Sequence, residues 1–163
     1  MADDSQNVPS RCAVSVLLQH DAQTDAWGQP RWRVIGILPE PGQPPEQPSR
    51  TLARDGAEGR VYLWRGLILR LNPTACDDYV LNLSSERPML FIICQSDVDG
   101  ELRPINVSAD QQDGVEAQEF GETMFAVAMP HSIAAWLEQY TYKHWRPGPR
   151  KKPRWKLPEE DVM

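Results

Sequence analysis

The chain has 163 residues, a formal net charge of −6, 40% apolar and 25% charged side chains. That is enough for one domain with its own core, and too apolar for a disordered chain. No run of 18 apolar residues occurs, and the acidic start Met1-Ala2-Asp3-Asp4 lacks the basic-then-apolar pattern of a secretory leader, so a cytoplasmic protein without a membrane span is expected.

Residues 1–11 are polar and expected to be loose. Residues 12–18, Cys-Ala-Val-Ser-Val-Leu-Leu, have the length and apolarity of a strand. Residues 31–38 alternate, with Arg31, Arg33, Ile35 and Ile37 on one face and Trp32, Val34, Gly36 and Leu38 on the other. Pro39, Pro41, Pro44, Pro45 and Pro48 then exclude regular structure, and 39–59 reads as one long loop. Residues 60–71 read as a long strand. Val61, Leu63, Leu67, Leu69 and Leu71 share one face, and Tyr62, Trp64, Ile68 and Arg70 the other. Gly36 and Gly66 inside these patterns point to bulges or bends.

Residues 79–83 alternate again, as a short strand would. Residues 88–95 are continuously apolar, as in a strand buried on both faces. Asp99-Gly100 is a hairpin turn signal before a strand at 102–107. Residues 108–121 are polar and fit either a short helix or a loop, and 122–129 fit a last strand. At 130–144 the period changes: Ile133, Trp136, Leu137, Tyr140 and His144 form one helical stripe. There is no βαβ alternation. The expectation is a β-rich α+β fold: a mostly antiparallel curled sheet or partial barrel over 12–144, one C-terminal amphipathic helix, and a basic tail over 145–163.

Three cysteines, Cys12, Cys76 and Cys94, have no zinc or disulfide spacing and read as inert thiols. Asp77-Asp78 and Asp97-Val98-Asp99 are the densest carboxylates. They read as solvated loops and turns, with a hydrolase or metal enzyme as the alternative they permit. His20, His131 and His144 are bracketed by no triad motif, and no phosphate loop or dinucleotide fingerprint occurs. No catalytic residue, metal site or cofactor is therefore assigned. Trp32, Trp64 and Trp136 read as packing residues.

Charge is the sharpest feature. Residues 1–142 carry 10 basic and 20 acidic side chains, whereas 143–156 carry seven basic and no acidic ones. Prolines at 147, 149 and 153 stop a helix there, and Trp145 and Trp155 flank the run.

Several stretches taken together carry a family resemblance: Arg31-Trp32-Arg33-Val34-Ile35-Gly36-Ile37-Leu38-Pro39; Leu69-Arg70-Leu71 through Tyr79-Val80-Leu81-Asn82-Leu83; Met129-Pro130 with Ala134-Ala135-Trp136-Leu137; and Lys143-His144-Trp145-Arg146-Pro147 through Lys151-Lys152. Over about residues 12–155 the chain resembles a family of short bacterial proteins known only as a domain of unknown function, whose members are often encoded near formate dehydrogenase genes. Residues 108–121 depart from that family's short-helix pattern. The resemblance implies an accessory protein serving assembly or regulation of such an enzyme, and no inherited catalytic residue.

The expected function is accordingly that of a non-enzymatic accessory or adaptor protein. Its partner would be an acidic protein surface, met by Trp145, Arg146, Arg150, Lys151, Lys152, Arg154, Trp155 and Lys156. Nucleic acid is the rival partner for the same tail, but the acidic body and a pI near 5.1 oppose it. A solvated tail, or one folded back on its own acidic body, is the plainer alternative.

Overall fold

The computed structural model describes residues 7–147. Seven strands form one mixed sheet: β1 (Arg11–Asp21), β2 (Trp32–Pro39), β3 (Ser49–Gly56), β4 (Gly59–Arg70), β5 (Met89–Ser96), β6 (Leu102–Ser108) and β7 (Thr123–Ala128). Three helices accompany them: α1 (Cys76–Leu83), α2 (Gln111–Glu119) and α3 (His131–His144). The strands run in the order β2-β1-β4-β6-β5-β7, with β3 added to β4. The end strands β2 and β7 approach each other, so the sheet curls into a nearly closed barrel. No helix among the described residues is long and apolar enough to cross a membrane.

The β-rich α+β class is as expected, but four details differ. The sheet, expected to be mostly antiparallel, is mixed, because β4 and β6 meet in parallel at Leu69 and Val107. Residues 49–56 are a strand, not loop. Every residue of β3 is exposed, so both its faces meet water and no alternation is needed; backbone pairing with β4 defines it. Residues 79–83 belong to a helix. Asn72 Oδ1 accepts the Thr74 N–H at the 3-10 turn Pro73–Ala75, and Asp77 and Asp78 sit in the first turn of α1, where the helix dipole favours negative charge. With α2 resolving 111–119 as helix, the described residues hold three helices rather than the one expected.

Bulges explain why strict alternation misplaces side chains. The β1–β2 register passes from Leu17↔Gly36 to Leu18↔Val34, leaving Ile35 as the extra residue, 45% exposed. Trp32 and Val34 therefore pack toward the core before the bulge, and Ile37 after it. In β4 the pair Arg65-Gly66 opposes the single residue Ser15. Tyr62 and Trp64 join the core before this bulge and Leu67 and Leu69 after it, so the two predicted faces merge into one. Gly66 has φ +88°, and a Cβ there would lie 2.9 Å from the Gln47 carbonyl oxygen. Glu40 secures the bend. Its side chain is almost fully buried, accepting from Arg65 Nε and from the Gly66 N–H.

The core is lined by β1, β4 and β5 and covered by α3 through Ile133, Leu137 and Tyr140. Trp136, expected on the same stripe, is only half-buried; its indole N–H donates to the Pro9 carbonyl (2.7 Å). Leu71 N–H donates to the Ser10 carbonyl, so Pro9 and Ser10, just before β1, are both tied down. α1 and α3 pack together, with Tyr79 meeting Tyr140 edge-on at 6.4 Å. Asn82 at the end of α1 stitches three elements: its amide donates to the carbonyls of Met89 and Ala109, and its oxygen accepts the Met89 N–H.

Candidate functional site

The basic run begins in the last turn of α3. Lys143 and His144 occupy the last helical turn, where positive charge suits the dipole. The His144 ring lies 4.3 Å from that of Tyr140. The Trp145 backbone N–H caps the helix on the Thr141 carbonyl (2.7 Å), and its indole N–H donates to Asp77 Oδ1 (2.7 Å). Trp145 is half-buried against the core, and Arg146 is exposed. Pro73, Thr74, Cys76 and Asp77 face His144, Trp145 and Arg146 across a cleft of about 220 Å3. Of the residues singled out from sequence, Trp145 and Arg146 are thus placed at this cleft. Arg150, Lys151, Lys152, Arg154, Trp155 and Lys156 lie outside the described residues.

Asp77 and Asp78 were expected in a solvated loop; both instead open α1, which carries Asp77 to the indole of Trp145. They also stand beside further acids. Asp110, the N-cap of α2, accepts the Gln112 N–H, and its carboxyl is pushed above the ordinary range, first by burial and then by Asp78, Asp113 and Glu116. Residues 71–142 hold twelve acidic side chains against Arg87 and Arg103. The basic run therefore departs from the acidic, helix-bearing half of the body.

The thiol that lines this cleft is held in its protonated form. The Cys76 thiol is buried, and burial, then Asp77, push its pKa up. Cys94 is pushed up to about 12 by burial alone, and Cys12 rises for the same reason. Tyr79 is raised to about 12, again by burial; its hydroxyl oxygen accepts the Asn72 N–H. Asp97 is spent on its turn, with Oδ1 accepting the N–H groups of Asp99 and Glu101. Among the described residues, no three His, Cys, Asp or Glu side chains are arranged to hold a metal ion.

Two cavities had no linear signal. A cleft of about 600 Å3 opens near the β2–β7 seam, lined by Gln29, Trp32, Ser96, Thr123 and Phe125 among others. Trp32 is backed there by His20, stacked at 4.2 Å. A smaller pocket adjoins Trp64. Only sheet closure brings these residues together.

No curated protein and no solved structure matches this chain. A family profile does match, over residues 13–154: the chain belongs to the family described as protein of unknown function (DUF3305).

Proposed function

We propose that this chain is a non-enzymatic accessory protein that docks on an acidic protein surface through its basic run 143–156, the partner being an enzyme of the formate dehydrogenase type. The observation that carries the reading is the Trp145–Asp77 bond at the end of α3. It gives the run a fixed base at its start, ahead of Arg150, Lys151, Lys152, Arg154 and Lys156 in the sequence. In this reading Trp145 is the fixed end of the strap, and Trp155 is the anchor offered to a partner. The acids of α1 and α2 compete for the same charges, so the strap exchanges one acidic surface for another. Lys and Arg then tune rate and salt dependence, and the indole supplies area.

The test is capture of such an enzyme by the full chain and by a chain ending at Pro147, which keeps every described residue. Capture by the full chain alone supports the proposal. Equal capture by both rejects it, and capture that disappears after nuclease treatment transfers the tail to the nucleic-acid reading.

A further inference from the structure

β1 occupies one edge of β4 along its length, so β3 and then β6 share the other edge. Near the point where they part lies a pocket of about 200 Å3, lined by Arg50 of β3, Trp64 of β4, Leu102 and Arg103 of β6, and Asp97 and Glu101 of the β5–β6 turn. Trp64 is 9% exposed, and its indole N–H has no acceptor among the described residues. A buried donor in that condition is uncommon and costly. Most of the lining charges are already engaged. Arg50 Nη1 donates to Glu101 Oε2 (2.7 Å), and its guanidinium lies 4.3 Å from the centre of the Tyr62 ring. Asp97 serves its own turn. Arg103 has no ion pair among the described residues. Two lining groups are thus left without a partner among the described residues, the neutral Trp64 indole N–H and the cationic Arg103 guanidinium.

We propose that this pocket binds the carboxylate group of a small molecule, held by the Trp64 indole N–H and the Arg103 guanidinium. An acceptor with two oxygens matches a guanidinium fork and still has a free lone pair on each oxygen, one of which can take the indole N–H. A carboxylate is favoured over a phosphate because Asp97 and Glu101 share the wall, and a dianion meets twice the repulsion of a monoanion.

Acetate is the probe, added at constant ionic strength to the full chain while the indole N–H resonances of its six tryptophans are followed by NMR. Trp64→Phe identifies the Trp64 signal by its loss. The expected result is a saturable shift of that signal, with about tenfold weaker binding in Arg103→Gln, as for loss of a charged hydrogen bond. Inorganic phosphate is expected to bind more weakly than acetate. No saturable shift, or unchanged affinity in Arg103→Gln, overturns the site; tighter phosphate overturns the choice of carboxylate. If Trp64→Phe does not fold, the indole signal is assigned through its neighbours, and Arg103→Gln, at an exposed strand position, carries the test.

Discussion

The strand-rich half, residues 7–70, and the half bearing the helices, residues 71–142, use charge in opposite ways. The first carries eight basic and six acidic side chains, the second two and twelve. In the first half, arginines pair with Asp21, Glu40, Asp55 and Glu58, and Arg50 reaches across to Glu101. In the second half Glu101 alone has an arginine partner among the described residues. Charge on the strand side therefore trims edges and bends, as Glu40 does at Gly66. On the helical side it accumulates, and at Asp110 the neighbouring acids add to the larger effect of burial in raising the carboxyl's pKa. A surface left that way attracts cations, and the chain's own cationic run starts beside it.

The largest expected effect breaks the helical half. Leu137 is fully buried in the core, and Leu137→Ala should cost about 2 to 5 kcal/mol by denaturant unfolding. In the strand half the weak point is backbone geometry. Gly66→Ala should cost about 1 to 3 kcal/mol, since φ +88° is strained for alanine and its Cβ would press on the Gln47 carbonyl.

The pH dependence of stability sharpens the contrast without large energies. The Asp21 carboxyl is held below its ordinary 3.8, first by the Gln19 hydrogen bond and then by Arg33 and Arg31. It adds stability above that pH, and the gain is lost as pH falls through the lower folded value. Asp110 has the opposite sign. Its folded pKa lies above 3.8, so it adds stability at low pH that is lost as pH rises through the folded value. Asp21→Asn should therefore flatten the acid limb of the stability curve. Asp110→Asn keeps a helix cap and should raise stability near neutrality relative to the native chain. Parallel pH–unfolding curves for the two variants would remove the contrast.

Much of the fold was legible where one physical signal dominated. The apolar run of β5, the Asp99-Gly100 turn and the 3.6 period of α3 each follow from burial or turn chemistry alone. Alternation failed at β2 and β4 because one extra residue reverses every face beyond it, although Gly36 and Gly66 marked the places. Tyr79 and Leu83 stand four apart, a spacing that serves a helix as well as alternation serves a strand; the Asn72-capped 3-10 turn leads directly into α1, and Asp77 and Asp78 suit its first turn. β3 gave no signal because it buries nothing. At the candidate site, charge and tryptophan content marked the run, but nothing linear pairs Asp77 with Trp145 sixty-eight positions later. The lone N–H of Trp64 was equally invisible, since it exists only once the sheet forks.

The most direct measurement of the central claim is the salt dependence of partner affinity for the full chain and for variants with Lys151, Lys152 and Arg154 changed singly to glutamine. Affinity should fall as salt rises, and each substitution should make that dependence shallower while leaving the far-UV circular dichroism unchanged. An affinity indifferent to salt, or one that the substitutions leave untouched, would contradict the account.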